Sequence, residues 1–113
     1  MNLQARADLQ NTITKPVIIQ TNRDIEILNG NGVRHMAKTV QEYLSGQGIT
    51  VNRIANAPHF SHPRTVIYYA PGYYAMAREV QVQLQALNTN GKMIKSGALK
   101  TNIRIILGRD LAA

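Results

Sequence analysis

The chain has 113 residues, with 13 Lys and Arg against 6 Asp and Glu, for a formal net charge of +7. That size gives one domain able to bury a real core, and 44% hydrophobic with 17% charged residues is a folded composition rather than a disordered one. The absence of Cys excludes a disulfide scaffold, a thiolate zinc site and a thiol nucleophile. No apolar run reaches the roughly 18 residues of a membrane span, and no signal-peptide pattern opens the chain.

Residues 1–23 are polar and read as a linker or N-terminal extension, and the folded domain is expected over 24–113. Within the extension, Pro16 ends any preceding helix, and Val17, Ile18 and Ile19 form one apolar strip. Ile25, Ile27 and Leu28 predict a buried strand, which the Asn-Gly pairs of 29–32 break. Val33, Met36, Ala37, Val40 and Leu44 then recur at helical spacing, with Arg34, Lys38, Gln41 and Glu42 on the wet face. Gly46 and Gly48 stop this helix. Ile49 and Val51 alternate with Thr50 and Asn52, which predicts a half-buried strand. Pro58 and Pro63 mark a loop. Thr65 to Tyr69 is a strong β run. Tyr73, Met76, Ala77, Val80, Leu84 and Leu87 repeat the helical template. Residues 93–99 fit neither template. Ile103, Ile105 and Leu107 share one side of a last strand.

The two helical segments are related. Gly32 and Gly72 stand 40 residues apart, and Met, Ala, Val, Gln and Leu follow each at matching places. Each helix lies between strands, so the expected fold is α+β, a ferredoxin-like split β-α-β-β-α-β sandwich. It has two helices on one face of a four-stranded, mainly antiparallel sheet. The first and third strands would be central. Leu28 and Ile106 would fall on the face away from the helices, where they need cover from the N-terminal strip or a second subunit.

The basic excess favours an anionic partner, although a solvated basic surface explains it as well. Its densest stretch holds Lys92, Lys95, Lys100, Arg104 and Arg109. The glycine-rich entry to the first helix is a candidate anion site, because backbone N–H groups stand there beside the positive end of the helix dipole. The structural alternative is a tight turn, with Asn29 or Asn31 as cap and Gly30 or Gly32 at positive φ. A dinucleotide fingerprint is excluded by His35 at its third glycine and by the short chain. His59 and His62 alone do not make a zinc site. No acid pair, P-loop or nucleophile elbow is present. No metal, cofactor or catalytic residue is expected. Tyr68, Tyr69, Tyr73 and Tyr74 cluster around the end of the third strand, and alternation sends Tyr68 and Tyr69 to opposite faces. Core or rim packing is the favoured use, and a ring on an open sheet face is able to stack on a base or sugar.

Several stretches resemble the C-terminal domain of LytR-type (LytR–CpsA–Psr) cell-envelope proteins from about Ile25 to Leu111. The most specific parts are Leu28-Asn29-Gly30-x-Gly32 and Leu107-Gly108-x-Asp110. One departure is His35, which stands where the family usually has Gly. The resemblance implies an accessory module of envelope proteins, outside the cytoplasm, as a piece of a longer membrane-anchored or secreted protein. No phosphotransferase domain is present, so attachment chemistry does not transfer.

The expected function is a non-catalytic extracytoplasmic module that binds a cell-envelope polymer, peptidoglycan or an anionic glycan, or an envelope or pilus-assembly protein. The candidate binding residues are Asn29, Gly30, Asn31, Gly32, Arg34, Tyr69 and Arg109. The alternatives are an RNA- or DNA-binding domain, which lacks an RNP-type run, and a self-association domain forming a homodimer.

Overall fold

The structure is a computed structural model and describes residues 24–111. The Val17–Ile19 strip and the expected extension over 1–23 lie outside the described residues. The elements are β1 (Ile25–Asn29), α1 (Met36–Gly46), β2 (Arg53–Asn56), β3 (Val66–Tyr69), α2 (Tyr74–Leu84), β4 (Lys92–Lys95) and β5 (Ile103–Leu107). Short 3-10 turns follow α2 at Gln85–Leu87 and β5 at Arg109–Leu111.

The sheet order is β2-β1-β5-β3-β4. The α+β class and the two helices are as expected, but the split antiparallel arrangement is not. β1 and β2 are adjacent and parallel, and so are β3 and β4. β5 lies between the two halves, parallel to β1 and antiparallel to β3. The reason lies in an additional strand, β4 at Lys92–Lys95. It lets α2 return to a strand beside β3, so each half closes as a complete β-α-β unit. One gap then remains between the halves, and β5 fills it as the central strand rather than an edge.

Alternation on the strands builds the core. Ile27, Ile105 and Ile67 stand in register across the sheet and are fully buried. Ala37, Val40 and Leu44 of α1 and Ala77, Val80 and Leu84 of α2 join them in a single cluster, so both helices cover this face. Burying each Val or Leu here contributes about 1.5–3 kcal/mol. On the opposite face, Ala55, Leu28, Ile106 and Val66 form one cross-sheet row. A second row carries Arg53, Glu26, Arg104 and Tyr68, with Glu26 paired to Arg53 at 3.6 Å and to Arg104 at 3.2 Å. Leu28 and Ile106 do point away from the helices, and both are half-buried.

Two boundaries differ from the periodicity. Val33 stays 39% exposed, outside the buried stripe, because α1 starts only at Met36. The β2 ladder begins later than Ile49. Asn52 sets its start, donating its N–H to Ile25 O at 2.9 Å and accepting Ile25 N–H on Oδ1 at 2.9 Å. Val51 nonetheless reaches the core, as its alternation predicts.

Candidate functional site

Three segments meet at the end of the sheet where β1, β2 and β5 finish and β3 begins. They are the β1–α1 loop, the β2–β3 loop and the 3-10 turn after β5. Ala57 N–H donates to Asn29 O, and His62 N–H to Gly30 O. Arg109 N–H donates to His62 O, and Asp110 N–H to Pro63 O.

The asparagines bind the first loop to itself. Asn29 Oδ1 accepts the N–H groups of Asn31 at 3.1 Å and Gly32 at 3.0 Å, and Asn29 Nδ2 donates to Val33 O at 2.8 Å. Asn31 Oδ1 accepts Val33 N–H, and Asn31 Nδ2 reaches across to Gly108 O at 2.9 Å. The backbone donors at 31–33 are therefore engaged by the protein's own side chains. Neither asparagine caps α1, since the cap position is His35, with no side-chain bond. Gly32 takes positive φ, +77°, and faces the Phe60 ring. Gly30 is packed between Leu107 and His62.

A second staple holds the other half. Gly108 N–H donates to Thr65 Oγ1, which donates to Asp110 Oδ1 at 2.8 Å. Gly91 N–H donates to Thr89 Oγ1, which donates to Asp110 Oδ2 at 2.5 Å. Thr65 N–H adds to the same carboxylate at 3.1 Å. Burial alone would raise the Asp110 carboxyl. The hydrogen bonds from Thr89, from the Thr65 hydroxyl and amide and from the Leu111 amide outweigh it and hold the group below its usual range. Gly108 is required by contact, since a Cβ there would sit 2.2 Å from the Arg64 carbonyl carbon.

The surface of this platform carries charge and one aromatic ring. Arg34, Arg64 and Arg109 are exposed, and Phe60 is 44% exposed. His59 and His62 stack with ring centroids 4.3 Å apart, and His62 Nε2 is buried with no partner among the described residues. Their parallel rings do not converge on a common point. Among the described residues no group of three or more His, Asp or Glu is placed to hold a metal. A cavity of about 600 Å³ adjoins the platform between Pro63–Thr65 and the turn at 88–92. A smaller one, about 300 Å³, opens between the first turn of α1 and β2.

The structure thus brings Asn29, Gly30, Asn31, Gly32, Arg34 and Arg109 to one end. Tyr69 is elsewhere. It sits opposite Ile103 at the far end of β5, on the helix side, packed on the core and edge-on to Tyr74 at 5.7 Å. Tyr68 is the tyrosine on the open face. Sequence reasoning missed Phe60, Arg64 and the Thr65–Thr89–Asp110 cluster. The one usable signal was the chain's single Phe, set in a His- and Pro-rich loop.

Over residues 22–111 the sequence matches the LytR_C family, described as LytR cell envelope-related transcriptional attenuator. The chain belongs to this family. The solution structure of the C-terminal domain of RV0431 is similar in fold, with a TM-score of 0.54 at 16% identity, covering 96% of this chain and 87% of that one. No curated protein matches the chain. For this LytR_C domain, the two most specific stretches of the resemblance are the two staples, joined by the Asn31–Gly108 bond. His35 holds φ +63° in the left-handed region. No helix among the described residues is long and apolar enough to cross a membrane.

Proposed function

We propose that the domain is a non-catalytic extracytoplasmic module that binds a cell-envelope polymer, peptidoglycan or an anionic glycan, through the loop platform. The observation that carries this reading is the platform itself. Arg34, Arg64 and Arg109 are exposed beside Phe60 on loops fixed by two hydrogen-bonded staples. The one acid in the 3-10 turn, Asp110, is already engaged by Thr65 and Thr89. A rigid platform loses little entropy on binding, and guanidinium forks suit carboxylate and phosphate groups. The Asn-Gly loop then supports the site rather than contacting the anion through its backbone.

Co-sedimentation with purified peptidoglycan sacculi tests this. The chain is retained at moderate salt, and Arg34→Ala and Arg109→Ala each weaken retention while changing stability by under about 0.5 kcal/mol. Failure of the parent chain to sediment overturns the reading. Equally tight, steeply salt-dependent binding of single-stranded RNA favours instead the open face, where Tyr68 stands beside Arg104.

A further inference from the structure

We infer that the cavity between the start of β3 and the turn before β4 is a binding subsite for a sugar unit carrying an acidic group, a carboxylate or a phosphate. The inference rests on the envelope-polymer reading above and names the chemistry that one part of the platform selects.

The cavity holds about 600 Å³, within the 300–1,000 Å³ usual for small-ligand pockets. Its walls divide into a fixed part and an available part. The fixed part is internally satisfied. Thr65 and Thr89 each accept from a glycine N–H and donate to Asp110. Gln81 donates to Gly91 O at 2.8 Å and accepts from Arg78. These groups set the shape and have little capacity left for a ligand.

The available part consists of Asn88, Asn90, Arg64 and Lys92, all exposed and lining the cavity. Among the described residues, none of the four side chains makes a hydrogen bond or salt bridge. Each asparagine amide offers both a donor and an acceptor, as each sugar hydroxyl does, so two of them suit a polyhydroxylated ring. Among the described residues that line the cavity with Arg64 and Lys92, Asp110 is the one carboxylate, and its oxygens are already hydrogen-bonded to Thr65 and Thr89. That leaves a net positive rim for an acidic substituent. Among the described residues no aromatic side chain lines the cavity, so these offer a nucleobase nothing to stack on. Pro63 is the one apolar side chain among its described lining residues, so these present no aliphatic wall to grip a hydrophobic peptide side chain.

A ¹⁵N–¹H titration of the 113-residue chain tests the assignment, with trigalacturonate as the carboxylate probe and glucose 6-phosphate as the phosphate probe. Saturable shifts are expected at the amides of Arg64, Thr65, Asn90, Gly91 and Lys92 with at least one probe, and which probe binds identifies the acidic group. The Arg64→Gln/Lys92→Gln double variant weakens that binding by about tenfold or more, with its melting temperature unchanged because both residues are exposed. Asn90→Ala weakens binding while acetate and inorganic phosphate still fail to shift the same amides. The assignment is overturned by absent shifts, by shifts at the α1–β2 cavity instead, by equal binding of neutral maltotriose, or by equal binding of the bare anions. Sacculus co-sedimentation separates the two readings. Full retention of the double variant removes this cavity, and Arg64 with it, and leaves the platform reading to Arg34 and Arg109. Failure of the parent chain to sediment removes the platform reading, while the titration still decides the cavity.

Discussion

At the scale of single residues, the backbone at the loop entries decides which side chains are tolerated. His35 occupies the left-handed region at φ +63° with no side-chain cap bond. A non-glycine residue there costs of order 1–3 kcal/mol unless its surroundings compensate, and Gly removes that strain at some cost in chain entropy. His35→Gly is therefore expected to raise stability, by about 1 kcal/mol at most, as read by thermal melting; a lower melting temperature would show that the imidazole makes a contact worth more than the strain. Gly32 and Gly72 give the complementary test. They share a place in the repeat and positive φ, +77° and +90°. Only Gly32 has a close neighbour, with Phe60 Cβ 3.1 Å from where a Cβ would stand. Gly32→Ala should cost more than Gly72→Ala, both falling within about 1–3 kcal/mol. Equal losses would mean that the Phe60 ring moves aside freely.

At the scale of elements, the repeat proves to be more than a shared hydrophobic stripe. Gln41 on α1 donates to Val51 O at 3.0 Å, and Gln81 on α2 donates to Gly91 O at 2.8 Å. The two bonds are equivalent under the same 40-residue offset. Each pins a helix to the segment that enters the edge strand of its own β-α-β unit. The Gln match was visible in the sequence, but its purpose depends on the return strand lying beside the first. That pairing was not legible. Lys92–Lys95 shows only Met93 and Ile94 between two lysines, too short a run for alternation to declare a strand. Without it the second half has no adjacent partner, and a split sheet is the simplest closure. The helices were legible because packing on a sheet demands a 3.6-residue stripe from each helix by itself. Gln41→Ala and Gln81→Ala should each cost about 1 kcal/mol, and the double variant their sum, since each bond lies within its own unit. Strong non-additivity in denaturant melts would show that the halves do not unfold as independently pinned units within one core.

At the scale of the molecule, the question is what joins the two halves and β5 into one body. The sheet supplies the β1–β5 and β5–β3 ladders, and the Asp110 cluster supplies a side-chain clamp over one end. Asp110 lies 45 residues from Thr65 and 21 from Thr89. The sequence marked Gly108-x-Asp110 as specific, yet threonines at that separation announce nothing until the fold brings them together. The clamp also has an electrostatic signature. The folded Asp110 carboxyl is held below its usual range, where burial is outweighed by the Thr89, Thr65 and Leu111 donors. Such a group stabilises the fold fully above its unfolded value, about 3.9, and loses that contribution as pH falls through the folded value. Asp110→Asn keeps the size but gives up the charge and turns an amide NH₂ toward a hydroxyl donor. The variant should therefore melt below the parent at neutral pH, and the gap should close as pH is lowered past the carboxylate range. Melting curves from neutral to strongly acidic pH decide it. A gap that stays constant with pH would mean that Asp110 acts through shape alone, and that the clamp between β3, the turn before β4 and the end of β5 does not depend on its charge.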